Sequence, residues 1–222
     1  IPGQTLESWK NTLKKVTMLK PEHISAYSLI IEEGTPFWNR FGEGACACDY
    51  TGPALPDEDT ENKIYRFTRK FLQEQGFERY EISNYAKPGK ECRHNIGYWT
   101  EVAYLGLGLG ASSLLDHMRF SNTADMKEYI GNSAFPDKIR QNMESLTEAD
   151  EMAEFMFLGL RMTEGVSMDV FEEYFGKKIE SIYGDVLEKY LSIGMLEKKE
   201  SRIYLTRKGI HVSNGIMADF LL

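Results

Sequence analysis

Glu91-Cys-Arg-His-Asn-Ile-Gly-Tyr-Trp-Thr-Glu-Val-Ala-Tyr-Leu-Gly-Leu-Gly-Leu-Gly110 is the stretch around which the chain is organised. Its first half gathers Cys92, Arg93, His94, Asn95, Tyr98 and Trp99; its second half is apolar and broken by Gly106, Gly108 and Gly110. The pattern predicts a donor-rich aromatic loop feeding a strand that ends in bare backbone. Glycine removes the Cβ that would hold a flat or extended ligand away from the main chain. A buried strand whose glycines serve only a turn fits the same composition. Gly106-x-Gly108-x-Gly110 is not a dinucleotide fingerprint, which needs G-x-G-x-x-G opening a helix and an acidic residue about 20 positions on. Here the third glycine comes one residue early, and no Gly-Lys-Ser/Thr follows to make a phosphate loop.

Upstream, Thr5 predicts an N-cap for a helix carrying Leu6, Trp9, Leu13 and Val16 at helical spacing, closed by Pro21. His23 to Ile31 reads as a buried strand stopped by Glu32-Glu33-Gly34-Thr35-Pro36. A long loop then runs to Pro56. The acidic run Asp57-Glu58-Asp59 suits the start of a helix with Ile64, Phe67, Phe71 and Leu72 inside and Gly76 at its end. Phe77 to Tyr85 reads as a further strand. Alternating strands and helices predict βα units, a mostly parallel sheet, and a ligand at the carboxyl ends of the strands. Those ends are Ser28 to Ile31, Ser83 to Ala86 and Gly108 to Ser113.

Downstream, a short helix near Ala124 to Gly131 leads into a polar link through Pro136 to Ser145. Thr147 and Asp150 predict a capped helix rich in Met152, Phe155, Met156, Leu158 and Leu160. Two more helices, a hairpin over Met195 to Leu205 and a last helix capped by Thr206 complete a winged-helix-like pattern. The division expected is therefore 1–145 and 146–222. Winged helices often bind DNA, but residues 147–222 hold 9 Lys and Arg against 14 Asp and Glu, a net −5. A duplex reader needs a basic face to displace counterions, so nucleic acid is not an expected partner.

The 222 residues carry a net charge of −8, which also disfavours anionic membranes. No apolar run approaches the roughly 18 residues of a membrane span. The start at Ile1-Pro2-Gly3, without Met, reads as the interior of a longer protein. Three cysteines argue against a disulfide framework and for a reducing, cytoplasmic setting. Cys46 and Cys48 form a C-x-C pair in a loop. A metal site usually takes four ligands and no second pair exists, so a surface loop is expected there. Cys92 is a candidate soft ligand or a structural thiol.

Ile1-Pro-Gly-Gln-Thr5, Ile24-Ser-Ala-Tyr-Ser-Leu-Ile-Ile-Glu-Glu-Gly-Thr-Pro36, Tyr80-Glu-Ile-Ser-Asn-Tyr-Ala86, Cys92-Arg-His-Asn-x-x-Tyr-Trp99 and Leu205-Thr-x-x-Gly209 share order and spacing with one family. The chain resembles the radical-SAM oxygen-independent coproporphyrinogen III oxidases and their haem-chaperone relatives. The resemblance implies an α/β fold: the C-terminal part of a partial (β/α) TIM-like barrel plus a C-terminal helical, winged-helix-like domain. It implies S-adenosylmethionine and an iron–sulfur [4Fe–4S] cluster in the intact protein. The family's Cys-x3-Cys-x2-Cys cluster motif does not occur in this chain, which alone should be inactive. By the same resemblance, Ile30 and Ser112 would touch S-adenosylmethionine through backbone, although this chain reads Ala111-Ser112-Ser113 where the chaperones carry Ala-His-Ser.

His94-Asn95-Ile96-Gly97-Tyr98-Trp99 follows the chaperone signature rather than the Arg-Asn-Phe-x-Gly-Tyr-Thr-like stretch of the oxidases. That implies haem binding and delivery to haem-requiring respiratory proteins through a membrane-associated acceptor. A neutral imidazole at His94 can ligate haem iron. Tyr98 and Trp99 offer rings for the porphyrin plane, Arg93 could pair with a propionate, and Asn95 lies among them. The competing reading has His94 and Asn95 only tying down a loop beneath Trp99. The alternative activity is anaerobic oxidative decarboxylation of coproporphyrinogen III to protoporphyrinogen IX in porphyrin biosynthesis. Self-association is left open.

Overall fold

The computed structural model describes residues 1–44 and 51–221. Cys46 and Cys48, and with them the C-x-C reading, lie outside the described residues. The chain divides into two compact units, Ile1–Cys92 and Arg93–Leu222.

In the first unit, helix α1 (Leu6–Met18) starts at Thr5, whose side chain accepts from the Ser8 N–H while Ser8 returns a bond to the Thr5 N–H. Strand β1 (His23–Ser25) follows, then a short helix α2 (Trp38–Phe41). Helix α3 (Glu58–Glu74) is capped by Asp57, which accepts from the Thr60 N–H at 2.8 Å. Strands β2 (Glu78–Arg79) and β3 (Asn84–Ala86) close the unit. Leu13, Ile24, Leu72, Phe77 and Tyr85 form its core, with Trp9, Val16, Phe67 and Phe71 packed around them. The predicted helix stripes are therefore the faces that are buried.

The sheet corrects the parallel expectation. Its order is β1-β3-β2 and both pairings are antiparallel. Only four residues separate β2 from β3, a hairpin connection, and a parallel pair would need a crossover of a dozen or more. The strand expected over residues 23–31 pairs only through Ser25; residues 26–31 carry no strand. The strand expected over 77–85 is likewise reduced to β2 and β3.

The second unit opens with helix α4 (Arg93–Trp99), where a loop was expected. The strand expected through residues 103–110 is instead a loop with one bridge, Tyr104 to Leu114. Strands β4 (Ser112–Leu115) and β5 (Met118–Asn122) form a hairpin. After helices α5 (Met126–Gly131) and α6 (Pro136–Ile139), the expected polar link is in part strand β6 (Arg140–Ser145), antiparallel to β5.

Helix α7 (Glu148–Gly159) has the predicted reciprocal cap between Thr147 and Asp150. Strand β7 (Val166–Ser167), helices α8 (Met168–Phe175) and α9 (Ile179–Ser192), and the hairpin β8 (Leu196–Lys199) and β9 (Arg202–Leu205) come next. Helices α10 (Arg207–His211), capped by Thr206, and α11 (Ser213–Ala218) end the chain. The sheet β7-β9-β8 is antiparallel, so the winged hairpin has a third, short strand that periodicity did not reveal. Met156, Phe171, Ile179, Ile203, Ile216 and Phe220 are almost wholly buried beneath it.

Candidate functional site

Helix α4 sorts the central stretch onto two faces. Residues four apart lie one above the other on a helix. His94 and Tyr98 therefore share an exposed face, their ring centroids 4.7 Å apart at 73°. Tyr98 meets Tyr104 edge-on at 4.7 Å and 87°. Tyr104 is fixed at its own backbone: its N–H donates to the Leu114 carbonyl and its carbonyl accepts from the Leu114 N–H, both at 2.9 Å. Burial pushes its phenol above the ordinary range, with Arg119 opposing. Arg93 is exposed at the start of the helix, and Asn95 is half-buried.

Trp99 points the other way. The Arg161 guanidinium sits 4.3 Å from its ring centroid, and α4 lies against α7. The indole Nε1 is buried and, among the described residues, without a hydrogen-bond partner. With Ile96, Phe155, Met162, Val166 and Val170, Trp99 lines a cavity of about 260 Å³. The structure thus brings His94 and Tyr98 together and does not add Trp99 to their face.

The glycine run is shaped by close packing. A Cβ on Gly106 would lie 2.2 Å from the Ser112 carbonyl oxygen, so no other residue fits without movement. The Gly106 N–H donates to Ser113 Oγ at 2.9 Å, and the Asn122 amide donates to the carbonyls of Gly108 and Gly106 at 2.8 and 3.2 Å. Ser113 and Asn122 are buried and clamp the loop to the β4–β5 hairpin. Sequence reasoning placed Ser113 at a strand end without this clamping role and missed Asn122; the available signal was a polar side chain inside a strand-like run. Ser112 is exposed, on β4 beside that loop.

A charged group gathers just past α4. Glu101 has φ +55, a left-handed conformation at the helix exit. Burial first, then Glu154 and Glu151, push its carboxyl from 4.5 up to about 8, against the pull of Arg119. Arg119 donates to both Glu154 carboxylate oxygens at 2.8 Å. His117, in the turn between β4 and β5, pairs with Glu151 one turn before Glu154 on α7. That bond raises the His117 imidazole.

Ile30 belongs to the first unit. It is exposed and lines a cavity of about 460 Å³ together with Trp9, Tyr27, Ser28, Glu32 and Tyr65. Beneath the strand end, buried Asn84 donates to the Tyr27 hydroxyl at 3.1 Å and accepts from Ser25. Trp9 Nε1 donates to Thr68 at 2.6 Å, so the wall of the cavity is tied to α3.

Residues 146–212 match the HemN C-terminal domain. The chain is 36% identical over 222 residues to the heme chaperone HemW of Lactococcus lactis, covering all of this chain and 56% of that protein. It is 34% identical over 221 residues to the heme chaperone HemW of Bacillus subtilis, with the same coverage. The solved coproporphyrinogen III oxidase HemN of Escherichia coli, a radical SAM enzyme, superposes with a TM-score of 0.75 at 19% identity, over all of this chain and 52% of the other. The fold is therefore α/β, like the matching part of that enzyme with its C-terminal domain. The chain is thus similar to the haem chaperones over its whole length and to the HemN C-terminal domain over residues 146–212. It spans about half the length of the curated relatives it matches.

Proposed function

We propose that this chain is part of a haem chaperone, and that haem is held on the exposed α4 face with His94 as iron ligand. The observation that carries the reading is the pairing of an accessible imidazole with an edge-packed Tyr98 on one helix face. An imidazole nitrogen reaches iron as a neutral ligand. Tyr98 offers an aromatic edge to the macrocycle, and Arg93, one residue before the ligand, can pair with a propionate. Trp99 supports this face from behind, by seating α4 on α7. Haem is cargo here, passed on to a haem-requiring respiratory protein through a membrane-associated acceptor. Among the described residues no helix is long and apolar enough to cross a membrane.

Two family cofactors fit this chain differently. The cysteines at 46, 48 and 92 do not supply a Cys-x3-Cys-x2-Cys set, so the [4Fe–4S] cluster belongs to another part of the intact protein. S-adenosylmethionine fits better at Ile30, which lines a cavity of suitable size; the contact at Ser112 rests on the family resemblance alone. When bound, it would supply a source of radical chemistry. The division at 146, with a barrel part before it and a helical domain after it, is the organisation this reading adopts.

The test is a haem titration followed at the Soret band, on the chain and on His94→Ala. Saturable one-to-one binding lost in the variant supports the reading. Equal binding by both proteins removes His94 as ligand. Anaerobic conversion of coproporphyrinogen III by the full-length protein, without haem binding, would replace the chaperone reading with the oxidase one.

A further inference from the structure

We infer that Tyr104 is a positioning residue for His94, acting through Tyr98 to hold the imidazole in one orientation for haem iron. The inference rests on the haem reading above and adds a residue outside the His94–Trp99 motif.

An exposed histidine on a short helix rotates freely about χ1 and χ2, and ordering it on ligation costs free energy. Here the ring is not free. It meets Tyr98 edge-on, and Tyr98 in turn meets Tyr104 nearly perpendicular, both at 4.7 Å. Perpendicular ring pairs at this distance place a positive ring edge against a negative ring face, which favours one relative orientation. The contacts form a chain of three rings, and its inner end is the most firmly held. Tyr104 exchanges both of its backbone hydrogen bonds with Leu114 of β4. Leu114 in turn pairs with Arg119 of β5. Any displacement of Tyr98 toward the sheet meets a ring that cannot retreat. The outer end carries the group with ligand chemistry, and its face is open.

The phenol oxygen of Tyr104 is not required by this scheme, but the ring is. That separates positioning from a hydrogen-bonding role and defines the variants. Tyr104→Phe keeps the edge contact; Tyr104→Leu removes it while retaining apolar volume; Tyr98→Leu removes the intermediate ring. Haem affinity and Soret position are measured for each. The His94 ring-proton resonances are followed in the haem-free proteins, and far-UV circular dichroism confirms folding.

The expected result is wild-type affinity for Tyr104→Phe and affinity about 3- to 10-fold weaker for Tyr104→Leu, the span of one aromatic pair. The His94 resonances of the haem-free protein should be displaced by the Tyr98 ring current. They should move toward solvent-exposed values in Tyr98→Leu and in Tyr104→Leu. If Tyr104→Leu binds haem as wild type does while His94→Ala does not, the inference is overturned and the haem reading stands. If the wild-type chain shows no saturable Soret change, the haem reading fails and the inference falls with it. The haem-free resonances would then still report whether the three rings are coupled.

Discussion

Replacing Glu101 with Gln should stabilise the chain at neutral and alkaline pH. Glu101 sits in a left-handed turn between α4 and the loop to β4, half-buried and facing Glu151 and Glu154 of α7 and Arg119 of β5. Its carboxyl ionises near 4.5 in the unfolded chain and near 8 in the folded one. The folded state therefore holds a proton that the unfolded state has released. Stability is full below about 4.5, falls as pH rises toward 8, and stays low above it. At ~1.36 kcal/mol per pH unit the interval corresponds to at most about 5 kcal/mol. Partial solvent access reduces this to roughly 1–2 kcal/mol. Gln mimics the protonated form and has no proton to lose, so Glu101→Gln should recover about that amount at pH 8 and nothing at pH 4.5. His117 contributes with the same sign: its raised pKa, owed to Glu151, adds stability that disappears as pH rises. Urea unfolding of wild type, Glu101→Gln, His117→Gln and the double variant, at pH 5 to 9, separates the two. A pH slope unchanged in Glu101→Gln, with the His117 variant alone flattening it, would refute the assignment.

Three further changes test the site's scaffold. Gly106→Ala forces a methyl into the Ser112 carbonyl and should cost about 2–4 kcal/mol in chemical denaturation, a core-overpacking magnitude. Asn122→Ala removes a side-chain donor from two loop carbonyls; a loss of about 1–3 kcal/mol is expected, with faster hydrogen exchange at the Gly106 and Gly110 amides as the local signature. Thr147→Ala removes the reciprocal cap of α7 and should lower stability by about 1 kcal/mol, read as a fall in melting temperature, whereas Thr147→Ser should restore it.

Local signals in the sequence carried well where chemistry is local. Thr5, Thr147 and Thr206 all cap helices as read, because an N-cap is decided within four residues, and the acidic run at Asp57 does start a helix. The winged hairpin was legible from its polar turn. The family resemblance was legible because its motifs recur in order along the chain. What failed was pairing. Apolar runs at 23–31 and 77–85 look like long strands, yet which residues pair depends on partners distant in sequence, and only segments of two or three residues do so. The loop and strand expected over 91–110 are replaced by a helix and a loop. The glycines that suggested a strand end instead allow the loop to lie against Ser112. His94 and Tyr98 as neighbours follow from helical spacing once the helix is known. The seating of Trp99 on Arg161 and the effect of Glu154 on Glu101 need contacts across more than 50 residues. No window of sequence contains those.

The two-faced helix has a consequence for how this stretch can change over generations. Seven residues carry His94 and Tyr98 outward and Ile96 and Trp99 inward. Each residue advances the helix by about 100°. Substituting one side chain alters one face and leaves the other intact. Inserting or deleting a single residue between His94 and Trp99 instead rotates everything beyond it. The indole would then leave its cavity, or the imidazole would lose Tyr98. The spacing between these residues is therefore more tightly constrained than most of the side chains between them. Variation here should be by exchange of letters, not by change of length.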